Sequence, residues 1–324
     1  MTEQELQQLR REKWRVAGNP ARTLEDAREF LAANGFALMY PLRKQEQRVP
    51  VLAPTFVGAY IGDDAKLPTW QQAFADPRAL EATELMVRLL RERSAFELKF
   101  GETSFVTSAT AFPYFYGLVG DRAPRQMPKP GTRSEYSPLA RDLLEKMNDT
   151  GPMTKRQLAE QLGGSLSSAA LDRALNELWS RLRLTRVDYT PEEGAKWELL
   201  FRWAPQAVRA GVNVGVGAAL SALVSKYLDC VVAAEQTEIE EFFGNFVGRS
   251  RVREAVNALL SAREFQFVHI GGRAMIQVTP PRVAPPPRAP RLAPPARART
   301  LRERARDAQR TTAASPKQDT PSEE

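Results

Sequence analysis

Between Ser137 and Trp203 the hydrophobic period changes from that of a helix to that of a strand, but only after three short helical segments, and this order leaves few folds open. Ser137-Pro138 supplies an N-cap and a proline for a first turn, and Leu139, Leu143, Leu144 and Met147 then share one helical face, predicting a helix that ends near Asn148. Thr154-Lys-Arg-Gln157 is a capping box that opens a second helix running to Gly163. A third begins around Ser167. It turns Leu171, Leu175, Leu178 and Leu182 inward and leaves Ser168, Asp172, Arg173 and Asn176 outward. Lys196 to Trp203 then alternates, with Trp197, Leu199, Phe201 and Trp203 on one face, as a strand returning from Leu184–Tyr189. Three helices followed by an amphipathic hairpin read as a winged helix, a module that commonly places its third helix in a DNA groove.

The same order recurs from Asn213 to Val278, which predicts a second copy. Val216, Leu220, Leu223, Val224, Tyr227 and Leu228 mark its first helix, and Thr237-Glu-Ile-Glu240 is the expected capping box of its second. Val252, Val256 and Leu259 repeat the spacing of Leu171, Leu175 and Leu178, with Arg249, Arg251 and Arg253 in the first turn. Glu264–Ile270 and Arg273–Val278 flank Gly271-Gly272, a two-residue hairpin connection. The copies differ in one respect: the capping Thr lies nine residues before Gly163 but seven before Gly244.

At 324 residues a prior of roughly two to three domains applies. The formal charge is +7, but its distribution matters more. From Thr279 onward there are ten basic and five acidic residues, leaving 36 of the 46 basic and 34 of the 39 acidic residues to a nearly neutral body. Only local clusters of that body can therefore act as a phosphate footprint. The Pro- and Arg-rich stretch from 280 to 324 lacks the apolar content for a core and is expected to be disordered, either gripping phosphates or acting as a solubilising extension.

Cys230 is the only cysteine and His269 the only histidine, which leaves no disulfide framework, no thiolate metal cluster and no His-rich zinc site. No cofactor and no metal are expected. Met1–Val16 is charged rather than an apolar leader, and the apolar run Val212–Val224 is short and Gly-rich, so a cytoplasmic protein without a membrane partner is expected. Gly211, Gly215 and Gly217 follow no strand and read as a hinge, not as a dinucleotide loop.

The N-terminal third is less regular. Met1–Val16 reads as a solvent-rich amphipathic helix, and Thr23-Leu-Glu-Asp26 starts another that ends at Gly35, followed by the apolar run Phe36–Leu42. Glu81–Arg93 is helical, Ala95–Tyr116 suggests short strands, and Phe112–Leu118 is an aromatic knot that serves either as core or as a base-stacking surface.

Asp26-Ala-Arg-Glu-Phe-Leu-Ala-Ala-Asn-Gly-Phe-Ala-Leu-Met-Tyr40, Phe105-Val-Thr-Ser-Ala-Thr-Ala-Phe-Pro-Tyr-Phe-Tyr-Gly-Leu118 and the order of elements over Thr23–Val278 resemble the YcaQ/AlkZ-type crosslink-repair DNA glycosylase superfamily. The resemblance implies tandem winged helices that hold duplex DNA and excise alkylated or crosslinked bases. It also implies a polar–apolar–polar motif that positions the attacking water. Leu38-Met39-Tyr40 stands at that place, without carboxylate or amide, and Ser108-Ala109-Thr110 replaces the downstream polar cluster. Gln45-Glu46-Gln47 is the nearest substitute, displaced into a polar run.

The expected fold class is mainly α with small β-wings (α+β), divided into a helical extension at 1–20, a winged-helix-like module at 21–130, winged-helix domains at 131–210 and 211–279, and the tail at 280–324. Three functions remain open. In the first the chain is a noncatalytic binder of double-stranded DNA, nucleoid-associated, contacting it through Arg173, Asn176, Arg181, Arg183, Arg186, Lys196, Arg249, Arg251, Arg253, Asn257 and Arg273. Each of these cations serves equally well as an ordinary solvated charge. In the second it is a glycosylase with an altered active site using Tyr40, Glu46 or Glu97. In the third the modules bind a protein partner.

Overall fold

A computed structural model of the protein describes residues 1–15, 21–39, 70–101, 103–128, 136–164, 166–280, 305–306 and 309. Tyr40, Gln45, Glu46, Gln47 and nearly all of the tail lie outside the described residues.

The architecture is mainly helical with small antiparallel sheets, and one order of elements occurs three times. After α1 (Glu3–Lys13), the first unit comprises α2 (Leu24–Asn34), β1 (Phe36–Leu38), α3 (Trp70–Ala75), α4 (Pro77–Arg91), β2 (Ala95–Phe100) and β3 (Thr103–Ser108), and α5 (Phe112–Val119) follows it. The second comprises α6 (Pro138–Thr150), β4 (Met153–Thr154), α7 (Lys155–Gln161), α8 (Ser168–Ser180), β5 (Leu184–Thr190) and β6 (Gly194–Leu199). Two short helices, α9 (Leu200–Trp203) and α10 (Pro205–Val212), lead to the third: α11 (Val216–Val231), α12 (Gln236–Phe243), α13 (Arg249–Ser261), β7 (Phe265–Ile270) and β8 (Arg273–Val278).

The repetition extends to register. The sheets run β1-β3-β2 and β4-β6-β5, and in the third unit a single bridge from Ala234 to Ile276 takes the place of the short first strand beside β8. Ala37 faces Val106, Met153 faces Trp197 and Ala234 faces Ile276, each pair at the same distance from the end of its hairpin. The long helix of each unit also ends in the same way. Two residues past α4, α8 and α13 stand Arg93, Leu182 and Arg263, with φ of 59°, 54° and 59°. Their N–H groups donate to Leu90, Trp179 and Leu260, and the N–H of the next residue donates to Leu89, Leu178 and Leu259, all at 2.9–3.0 Å. This double bond closes the free carbonyls of a helix end around one left-handed residue. Glycine is the usual occupant. None of these three positions holds one, so the junction leaves no sequence signal.

Several sequence expectations are corrected. Glu235, not Thr237, precedes α12, and the Glu238 carboxylate accepts from the Glu235 N–H at 2.8 Å. Measured from this cap, Gly244 lies nine residues on, as Gly163 does from Thr154, so the apparent mismatch between the copies disappears. The strand predicted to reach Trp203 ends at Leu199. Leu200 and Trp203 are both buried one helical turn apart, and Trp203 is also in phase with the alternation of Trp197 and Leu199. The aromatic segment Phe112–Leu118 forms α5, whose Phe112, Phe115 and Tyr116 are buried core.

The units do not keep separate cores. Phe36 of the first packs edge-on against Phe115 at 5.9 Å and stacks on Phe242 of the third at 5.2 Å, in a cluster that extends to Phe265 and Ile276. Each such buried aromatic contributes about 1.5–3 kcal/mol. The second unit surrounds its own cluster around Leu143, Leu175, Leu178 and Trp197. The chain turns sharply between α10 and α11, by 110°, and Gly211 lets α5 approach: a Cβ there would lie 2.5 Å from the Cβ of Tyr116.

The helix α1, expected to be solvent-rich, is anchored. Arg10 is 3% exposed and donates to the carbonyls of Val231 and Ala233 (2.8 and 2.5 Å), while the Trp14 indole donates to Cys230 at 2.9 Å. These donors satisfy the open carbonyls at the C-terminus of α11. Burial is the main reason the Arg10 pKa falls below its ordinary value.

Replacing the left-handed Arg93 or Arg263 with Gly is expected to stabilise the protein by about 0.5–1 kcal/mol each, because a side chain pays for that conformation and glycine does not. Leu182→Gly is expected to destabilise it, since Leu182 is 2% exposed and its burial outweighs the strain. Urea denaturation of the three variants measures both signs.

Candidate nucleic-acid interface

The common helix ending gives each long helix a shared frame. Six residues before the left-handed position stand Val87, Asn176 and Asn257, and ten before it stand Thr83, Asp172 and Arg253. These positions form one helix flank, beside the hydrophobic face. In α4 that flank is inside the protein: Val87 is 3% and Thr83 0% exposed. In α8 and α13 it faces outward, with Asn176 half-buried and Asn257 exposed.

The two outward flanks carry braces of opposite polarity. Lys155, at the start of α7, reaches Asp172 and Ser168 at 2.6 Å each, whereas Arg253 donates to both oxygens of Glu240 on α12, at 2.9 and 2.7 Å. Arg249 and Arg251 are exposed in the first turn of α13, and no ion pair joins either to a described residue. The α13 end is therefore the more cationic, while Asp172 offsets Arg173, which is exposed on α8.

The remaining predicted contacts divide by what their guanidinium or ammonium groups touch. Arg181 is exposed and lies 5.3 Å from the Tyr136 ring centre, and Lys196 is half-buried on β6. Arg273 is exposed yet bridges Glu3 of α1 (2.6 Å) and Glu235 (3.1 Å). Arg183 is corrected from a phosphate contact to a structural residue. It is 2% exposed, and its nitrogens donate to Asp121 (2.9 Å) and to the carbonyls of Ala123 (2.9 Å) and Gln126 (2.7 Å). Arg186 is likewise committed inward. Its guanidinium lies 4.5 Å from the Trp179 ring centre and 4.9 Å from that of Trp197, and it donates to Glu97 at 3.0 Å.

The site where the resemblance places catalysis is apolar. Leu38 is 4% and Met39 0% exposed, and the Ser104 hydroxyl donates to the Met39 sulfur at 3.3 Å. The matching position after the first strand is Thr154 in the second unit and Glu235 in the third, both polar residues that start a helix. Ser108 accepts from the Ala111 N–H at 3.2 Å and so supports the entry to α5. Glu97, considered as an alternative acid, has a fully buried side chain paired with Arg186.

Sequence reasoning missed Asp121 and Arg122. Asp121 accepts from Arg183, from the Tyr136 hydroxyl (3.2 Å) and from the Ala123 N–H (2.8 Å). Burial, reinforced by the Asp121 charge, pushes the Tyr136 phenol up to about 12. Arg122 gathers the carbonyls of Gly117, Val212 and Val214 at 2.6–2.9 Å. Short polar residues in an irregular linker carry no periodicity that would single them out.

One helix–strand–helix–helix–hairpin order thus recurs, with a flank of the long helix covered in the first unit and turned outward in the other two. The sequence model of the "DNA glycosylase AlkZ-like" family matches residues 78–316, and the chain belongs to that family. Among solved structures it is similar to Streptomyces sahachiroi DNA glycosylase AlkZ, with a TM-score of 0.54 and 13% sequence identity over 86% of this chain and 70% of that one, a likeness of fold. No curated protein matches the sequence.

The hydrogen bond from Arg253 is the main cause of the lowered Glu240 pKa. A carboxylate held below its ordinary pKa contributes stability that is complete above the ordinary value and is lost as pH falls through the lowered one. Arg253→Ala should therefore lower the melting temperature most near neutral pH, and the gap to the parent protein should shrink as pH falls below the ordinary carboxylate range, because only the parent has that contribution to lose. Arg186→Ala should cost about 3–5 kcal/mol in urea denaturation, because it leaves the buried Glu97 carboxylate without its counter-charge.

Proposed function

We propose that this protein is a noncatalytic duplex-DNA-binding protein of DNA repair, built from three winged-helix modules at 21–130, 131–210 and 211–279, with the helical extension 1–20 and the tail 280–324. Winged helix is the reading of the repeated unit, in which a short strand, two helices and a hairpin follow the first helix. The observation that carries the absence of catalysis is the burial of Leu38 and Met39, at a position where the other two units place Thr154 and Glu235. Two apolar side chains can neither orient a water nor stabilise a developing oxocarbenium charge.

Binding in this reading runs through α13, where Arg249 and Arg251 contact phosphates and Asn257 faces a base edge, and through Arg173 and Asn176 of α8. Arg181, Lys196 and the hairpin Arg273 flank these helices as further phosphate contacts. A cytoplasmic, nucleoid-associated location accords with it. Family membership supports a second reading, a glycosylase with an altered active site that excises alkylated or crosslinked bases. Module-to-protein contact is the third.

Equilibrium binding of a labelled duplex across a salt series separates these readings. The expected slope of log affinity against log salt is several units, and Arg249→Ala or Arg251→Ala should each reduce it by about 0.9. Abasic product from an alkylated duplex overturns the noncatalytic reading, and an absence of salt-dependent binding overturns the DNA reading in favour of a protein partner.

A further inference from the structure

A cleft of about 330 Å³ lies between the 123–126 linker and α10. Phe201, Pro205 and Val208 line it together with Arg125, Gln126, Arg209 and Asn213. Arg125 and Arg209 are exposed, and no ion pair joins either to a described residue. The walls are held from behind. Arg183, itself 2% exposed, donates to the carbonyls of Ala123 and Gln126, and Arg122 holds those of Val212 and Val214 beside the opposite wall. The Asp121 N–H also donates to the Arg181 carbonyl at 3.1 Å, so the cleft adjoins the C-terminal end of α8. A buried arginine that spends three hydrogen bonds on a linker explains why that linker keeps a concave shape.

We propose that this cleft binds one unpaired nucleotide of a DNA strand. A nucleotide has a flat apolar ring, a hydrogen-bonding edge and a phosphate, and the residues that line the cleft include an aromatic, two amides and two arginines with no ion pair to a described residue. Aromatic and proline faces accept any base, so the site selects for unpaired nucleotides rather than for sequence. The proposal rests on the DNA-binding reading but places a second, separate contact on the strand.

The test compares a flush duplex with the same duplex carrying a five-nucleotide single-stranded flap, using the full chain. The flap is expected to tighten binding about tenfold, the effect of one stacked base. Arg125→Gln/Arg209→Gln should remove that advantage and leave flush-duplex affinity within about twofold, since neither residue belongs to the α13 or α8 flank. Iodo-deoxyuridine in the flap should crosslink to the peptide containing Phe201 in the parent protein. Equal affinity for both duplexes together with no crosslink overturns the proposal. Displacement of the flap by free deoxyadenosine monophosphate at micromolar concentration reassigns the cleft to a free nucleotide, and displacement by an acidic, phenylalanine-containing peptide reassigns it to a protein partner. If the flush duplex is not bound at all, the α13 reading fails while crosslinking of a single-stranded oligonucleotide still decides the cleft.

Discussion

A buried carboxylate on β2 and the arginine that neutralises it hold the first two units together. Glu97 has no solvent exposure, and an unpaired charge there would cost several kcal/mol. Arg186, on β5 of the second unit, supplies the counter-charge and is itself held against Trp179 and Trp197. The Glu97 carbonyl also receives the Trp179 indole N–H at 3.2 Å and the Thr185 hydroxyl at 3.1 Å. One residue of the first hairpin thus engages the long helix and the hairpin of the second. Arg91 reaches Asp188 at 2.7 Å, and the Tyr189 ring packs against both Trp70 and Phe74, at 5.0 and 5.1 Å, so β5 covers the first unit's helices.

That joint makes three similar units unequal. In the first unit the flank of the long helix is covered, its Asn-equivalent position is Val87, and the helix serves as core. In the second and third the same flank stays at the surface with an amide at the shared position. The inequality also appears where polar side chains start a helix after the first strand. Thr154, itself buried, finds its partners at the start of α7 and Glu235 is half-buried at the start of α12, whereas Leu38 belongs to the shared aromatic core.

Much of the second and third units was legible from residues alone. Ser137 and Thr154 each cap the helix they were expected to cap, because a hydroxyl accepting from a free N–H is a local event that needs no tertiary partner. Thr237 misled because it stands two residues inside α12, where Glu235 reaches the backbone first. The helical turn at Leu200–Trp203 was hidden because Trp203 is in phase both with the alternation of Trp197 and Leu199 and with a helical turn from Leu200. The three left-handed junctions gave no warning, since Arg93, Leu182 and Arg263 are not residues that favour that conformation. For the candidate interface, cationic residues could be named but not sorted. Arg183, Arg186 and Arg249 look alike in a chain, and only their neighbours distinguish a linker clamp, a buried counter-charge and an exposed helix end.

The sequence by itself determined the helices with their caps, the two-residue hairpin at Gly271-Gly272, the recurrence of one unit, and the lack of any carboxylate or amide at Leu38-Met39-Tyr40. These depend on interactions a few residues apart, which spacing and side-chain chemistry specify directly. Tertiary structure alone decided that a third, N-terminal unit shares the register of the other two, that its long helix is covered, and which arginines remain at the surface. Those outcomes rest on pairs such as Glu97 with Arg186 and Phe36 with Phe242, whose partners lie some 90 to 200 positions apart. No periodicity links such partners, and each is chosen by the shape and charge of a surface that exists only once both units have folded.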